Sequence, residues 1–141
     1  MEIKVAIADD HRLFRMAIVN GLCAYPDINI VFEAEDGIDL LEKLADNPVD
    51  VILLDMEMPK MDGMTALKEI RKKDQEVKII ICTAHYEEKE MLELIEEKAN
   101  GYLQKGPDIE TIHTAIQSCV HIGFFFNIVT NSIELKSVYH I

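Results

Sequence analysis

Basic residues are scarce in this 141-residue chain: 14 Lys and Arg stand against 26 Asp and Glu, a formal net charge of -12. A surface so short of cations cannot neutralise a run of phosphates, so nucleic-acid binding by this chain alone is not expected. Tryptophan is absent and only 6 glycines and 4 prolines occur, while 49% of residues are hydrophobic. That balance excludes a low-complexity or disordered chain and permits one domain with a real core. No stretch approaches the roughly 18 uninterrupted apolar residues of a membrane span. The opening MEIKVAIADDH has too short an apolar run, too early, for a signal peptide. Cys23, Cys82 and Cys119 are odd in number, widely spaced and set among apolar residues. They read as buried free thiols in a reducing cytoplasm, not as a disulfide framework or a zinc site. The acidity either serves solubility or includes a carboxylate cluster ready for a cation.

What is present is an alternation. Short β-branched runs at 3–9, 28–34, 49–55, 77–84 and 101–105 predict five strands. Between and after them, 11–25, 36–47, 63–74, 87–100 and 107–122 carry helical periodicity. In the first helix Phe14, Ala17, Ile18 and Leu22 share one apolar face. The second helix stops before Pro48, and Pro107 stands near the first turn of the last. Strict alternation implies right-handed crossovers and a flavodoxin-like, doubly wound parallel sheet covered by helices on both faces. The domain is expected to span 1–122. From His121 onward one acid (Glu134) and one base (Lys136) remain, and three phenylalanines follow Gly123. Residues 123–141 are a tail that packs back on the domain, links to a further domain, or forms an oligomer contact.

In such sheets ligands bind at the carboxyl ends of the strands. The first strand ends at Asp9-Asp10, the third at Asp55, the fourth at Thr83-Ala84 and the fifth near Lys105. Carboxylates gathered there repel one another, and a divalent cation resolves the conflict. Mg²⁺ suits the donors, since it takes hard oxygens and keeps several waters. An ion and an ammonium together offset charge on a transferring phosphoryl group, with Asp55 as the central nucleophile. Thr83 has a hydroxyl placed to donate to phosphoryl oxygens.

These motifs, IADDH (7–11), VILLDMEMPKMDG (51–63), ICTAH (81–85) and GYLQK (101–105), resemble the receiver domains of two-component response regulators. The DDHRLFR start (9–15) is similar to the NarL-type subfamily, whose members usually carry a DNA-binding helix-turn-helix. The resemblance implies phosphorylation of Asp55 by a sensor histidine kinase or a small phosphodonor. It implies Mg²⁺ held by Asp10 directly, by Asp9 largely through water, by Asp55, and by the backbone carbonyl of Glu57. Thr83, Ala84 and Lys105 fall at the phosphate-contacting positions, and Thr83 and Tyr102 form the switch pair. Phosphorylation is expected to draw Thr83 inward, with Tyr102 turning into the vacated space. Transcriptional output through an effector domain outside these residues, homodimerisation on activation and a cytoplasmic location are further implications, with no membrane partner.

Alternatives stay open. Asp9 and Asp10 alone could merely cap the helix that follows. Tyr102 alone could be packing, and Lys105 alone a solvated lysine. Met56, Met58, Met61 and Met64 read as loop and core packing. None of the five histidines shows ligand spacing. A stand-alone receiver, a phosphorylation-independent interaction module and a haloacid-dehalogenase-like phosphatase are the rival functions. Against the phosphatase, Glu57 replaces the second Asp of its Asp-x-Asp motif, and the motif follows the third strand rather than the first.

Overall fold

The computed structural model describes residues 2–106 and 108–126. Its elements run β1 (Ile3–Ala8), α1 (Arg12–Leu22), β2 (Ile28–Ala34), α2 (Gly37–Asp46), β3 (Val51–Asp55) and α3 (Gly63–Lys73), continuing through β4 (Lys78–Thr83), α4 (Glu88–Glu96), β5 (Gly101–Gln104), α5 (Ile109–Ile122) and β6 (Phe125–Phe126). All strand pairs are parallel, in the order β2-β1-β3-β4-β5-β6. The expected five strands and five helices are therefore present in a doubly wound sheet.

Side-chain alternation divides the core into two layers. Ile3, Val5 and Ile7 of β1, Val51 and Leu53 of β3 and Leu103 of β5 pack with Ile18 and Leu22 of α1 and Ile112, Ile116 and Cys119 of α5. Ala6 and Ala8, Ile52 and Leu54, and Ile79 and Ile81 face the other way, against Leu40 of α2, Leu67 and Ile70 of α3 and Met91 and Leu94 of α4. Because β1, β3 and β4 are apolar on both faces, they read in the sequence as continuous hydrophobic runs. The methionines follow the packing expectation: Met58 is buried, and Met56, Met61 and Met64 pack against the same layer.

Several details depart from the sequence pattern. Helix α1 ends at Leu22, not at residue 25, because Ala24 and Tyr25 donate back to Gly21 and Leu22 in a turn ahead of Pro26. Ala17 is exposed, since α1 meets the sheet along Ile18 and Leu22. Cys23, expected to be buried, is exposed just past the helix end, whereas Cys82 and Cys119 are buried. Helix α4 stops at Glu96 because Lys98 takes a left-handed φ of 69°, and the buried Arg71 guanidinium clamps the Lys98 carbonyl from α3 at 3.0 and 2.9 Å. The sixth strand was not expected. Gly123, at φ 94°, ends α5 by donating to Ser118 and Cys119. Phe125 N–H then bonds the Asn100 carbonyl at 2.9 Å, seating 125–126 beside β5. Residues 123–126 of the tail thus belong to the ordered sheet and its last turn. Pro107 and the rest of the tail, 127–141, with their expected roles, lie outside the described residues.

The loop after β3 is shaped by close backbone approach. Gly63 N–H donates to the Met56 carbonyl at 2.9 Å, and Asp62 caps α3 by accepting from Thr65 N–H at 2.8 Å. A Cβ on Gly63 would collide with the Asp55 carbonyl and stand 2.9 Å from Met56 Cα. Both neighbours are backbone and cannot rotate away. Gly63→Ala is therefore expected to lower the unfolding free energy by about 2 kcal/mol, measured by urea denaturation followed by far-UV circular dichroism.

Candidate functional site

The alternation that builds the core also sorts the polar residues at the carboxyl edge. Asp9, Asp55 and Lys105 continue the β1, β3 and β5 positions whose side chains face α1 and α5. Thr83 and Tyr102 share the parity of Ile81 and Ile79 and belong to the opposite face. Asp9 and Asp55 are each only 2% exposed. Lys105 Nζ stands 3.1 Å from Asp9 Oδ2 and 3.1 Å from Asp55 Oδ1, with the Phe14 ring 5.1 Å away. The strands lock this arrangement from the backbone, with Lys105 N–H on the Thr83 carbonyl at 2.6 Å and Met56 N–H on the Cys82 carbonyl at 3.0 Å.

Burial is the main reason that the Asp55 carboxyl is pushed up to about 6; the Asp9 charge adds to it, and Lys105 opposes both. For Lys105, burial favours the neutral amine, but its bonds to Asp55 and Asp9 outweigh that and raise its pKa. Beneath them burial, then Asp9 and Asp55, pushes the Cys82 thiol up to about 12, so it stays neutral. Glu57 N–H donates to Asp55 Oδ1 at 3.3 Å while its side chain is exposed. Asp55 Oδ2 is buried without a hydrogen-bond partner among the described residues. A carboxylate oxygen left in that condition is unfavourable unless a cation or a covalent bond engages it. The residues present therefore fit a divalent ion with hard ligands.

Asp10 is more open, its side chain 34% exposed. Asp9 accepts from His11 N–H at 2.8 Å, so it does meet the chain entering α1, yet the N-cap position is His11 and no side chain caps that helix. Two contributors carried no signal as isolated residues. Arg15 donates to the Asp9 carbonyl at 2.6 Å and pairs with Glu33 at 3.0 Å, fixing the β1–α1 loop. His11 brings Nδ1 within 3.1 Å of Asp9 Oδ1, 3.3 Å of Asp10 Oδ1 and 2.9 Å of Lys105 Nζ. Its adjacency to the Asp pair was the only available hint.

On the opposite face, the Thr83 hydroxyl donates to the His85 carbonyl at 3.1 Å and accepts from His85 N–H at 3.3 Å. Ala84 is exposed and adds no side-chain donor. Tyr102 already lies inside, 1% exposed, its hydroxyl donating to Glu90 Oε1 at 2.7 Å and accepting from Glu87 N–H at 3.2 Å. Burial, and then the Glu90 carboxylate, raises the Tyr102 phenol well above its ordinary range.

Fold and edge together define a doubly wound α/β protein with a buried acidic, lysine-braced site. The chain belongs to the family described as response regulator receiver domain, whose profile matches residues 5–117. It is 32% identical over 129 residues to the transcriptional regulatory protein DegU of Brevibacillus brevis, covering 89% of this chain and 53% of that protein. The response regulator UvrY of Escherichia coli K12 is 37% identical over 116 residues, covering 82% and 53%. Among solved structures, the signal receiver domain of a response regulator NarL from Mycobacterium tuberculosis superposes with a TM-score of 0.79 at 32% identity. That match covers 84% of this chain and 96% of the solved one. The NarL-type relationship seen in the DDHRLFR motif is thus supported. The chain spans about half the length of the curated relatives it matches. Among the described residues no helix is long and apolar enough to cross a membrane.

A carboxylate whose folded pKa is raised contributes stability below its unfolded value, and that contribution is lost as pH rises through the folded one. With Asp55 at about 6 against an ordinary 3.8, its ionised form weakens the metal-free fold at neutral pH. Asp55→Asn is expected to stabilise the protein by about 1–3 kcal/mol at pH 7.5 in EDTA. The gain should shrink as pH falls from about 6 towards 4. Urea denaturation across that pH range measures it.

Proposed function

We propose that Asp55 accepts a phosphoryl group from the phosphohistidine of a sensor histidine kinase, or from a small phosphodonor, and that this switches the output of a transcriptional regulator. The observation that carries the reading is the Asp55 carboxylate itself. One oxygen is held by Lys105 at 3.1 Å, and the other is buried with no hydrogen-bond partner among the described residues.

Asp55 attacks phosphorus, and its new P–O bond forms as the donor's P–N or acyl P–O bond breaks. Lys105 balances charge on the phosphoryl oxygens. Asp9, Asp10, Asp55 and the Glu57 backbone carbonyl would hold Mg²⁺, which when bound neutralises the remaining phosphoryl charge. Arg15 keeps Asp9 in place through its carbonyl.

The switch runs through hydrogen-bond exchange. To reach a phosphoryl oxygen, the Thr83 hydroxyl must give up its two bonds with His85. The same loop carries Glu87, whose N–H bonds the Tyr102 hydroxyl. Tyr102 is already inside, so its part is a change of partners among His85, Glu87 and Glu90 rather than entry into an empty space. A coupling of about 1–3 kcal/mol suffices to bias such an equilibrium. A homodimer formed on activation would place paired effector domains on two DNA half-sites. Intact acceptor residues and membership of the receiver family favour this over the phosphatase and the phosphorylation-independent module.

Acetyl phosphate with Mg²⁺ is expected to add one phosphoryl mass to the intact protein by mass spectrometry, and EDTA or Asp55→Asn should abolish it. Lys105→Ala is expected to slow adduct formation by about tenfold or more. An adduct that persists in Asp55→Asn would remove Asp55 from its role.

A further inference from the structure

The two buried carboxylates split their oxygens between two places. Asp9 Oδ2 and Asp55 Oδ1 face Lys105, each at 3.1 Å. Asp9 Oδ1 and Asp55 Oδ2 face the His11 imidazole instead, where Nδ1 lies 3.1 Å from the first and 3.8 Å from the second, with Asp10 Oδ1 at 3.3 Å. Three carboxylates from two strand ends and one imidazole nitrogen thus converge, their ligand atoms all within 4.8 Å of one another. Neighbouring ligands on an octahedral ion stand roughly 3 Å apart. The His11-centred distances have that character.

A gathering of acids is not by itself a site, but Asp55 Oδ2 adds an independent sign. It is a buried oxygen of a side chain 2% exposed, turned into this cluster and without a hydrogen-bond partner among the described residues. His11 Nδ1 stands among the three carboxylates and 2.9 Å from Lys105 Nζ, so an ion bound there would take the ammonium's place beside it. His11 is the open member of the group, its side chain 62% exposed. It can therefore adjust to an ion without disturbing the core.

We propose that His11 Nδ1 is a nitrogen ligand of this cation site, so that the site takes a first-row transition divalent ion such as Mn²⁺ or Co²⁺ more tightly than Mg²⁺. The inference rests on the reading of Asp9, Asp10 and Asp55 as cation ligands and deepens it. Imidazole adds little for Mg²⁺, which prefers oxygen, and adds affinity along the series from Mn²⁺ to Co²⁺. Glu57 and Asp62, with Asp10 and His11, line the groove outside the cluster and give an arriving cation an acidic approach.

The test uses the full 141-residue chain with MnCl₂, CoCl₂ or MgCl₂ alone and no phosphodonor. Pulsed electron paramagnetic resonance of the Mn²⁺ complex should show coupling to a ¹⁴N nucleus, and His11→Gln should remove that coupling while the manganese stays bound. By calorimetry, His11→Gln is expected to weaken Co²⁺ binding by about tenfold or more and Mg²⁺ binding by less than about threefold. Circular dichroism checks that the variant is folded. Manganese bound without ¹⁴N coupling in the unaltered protein, or equal losses for all three ions, overturns the assignment of His11 and leaves the acidic site standing. No binding of any of the three ions overturns both.

Discussion

Everything at this sheet edge depends on one shared ammonium. Lys105 sits between two buried carboxylates, and its charge offsets theirs. Neither acid alone would need a buried lysine, and the lysine alone would be a solvated side chain. Losing the ammonium would leave two buried carboxylates facing each other uncompensated, which is the costly loss in such an arrangement. The three come from β1, β3 and β5, so this polar contact also requires the sheet's strand order. Chemistry and topology are here the same constraint.

The sheet then acts as a partition. Residues of one parity face α1 and α5 and carry the charges, while those of the other face α2 to α4 and carry Thr83 and Tyr102. A two-residue period assigns each side chain to its side without any special device. Communication between the two sides has to pass through strand ends and loops, and the short bond from Lys105 N–H to the Thr83 carbonyl is one such crossing.

Much of this was legible in the sequence because the relevant signals are local. Apolar runs such as VILLD declare a strand buried on both faces, and the carboxyl-edge rule brings Asp9, Asp55, Thr83 and Lys105 together. What escaped depends on tertiary geometry. The end of α4 is set by Arg71 reaching from another helix to the Lys98 carbonyl, an interaction 27 residues apart in sequence. His11 looked inert because ligand spacing is sought along the chain, whereas its partners Asp55 and Lys105 arrive from other strands. His113 likewise pairs with Asp27 at 2.9 Å and stacks on Tyr25 at 3.8 Å, which no spacing announces. Cys23 was misplaced for the opposite reason: an apolar neighbourhood in sequence lay just past a helix end.

The short sixth strand has a mechanical consequence. Phe126 is paired in register with Tyr102, and the chain continues onward from there. Asn100 fastens this segment further, its amide donating to the Gly123 carbonyl at 3.0 Å while its oxygen accepts from Arg71 at 2.8 Å. Residues 123–126 are therefore stitched to the strand that carries Tyr102. A displacement of β5 would be delivered first to Phe125 and Phe126, the residues paired with it.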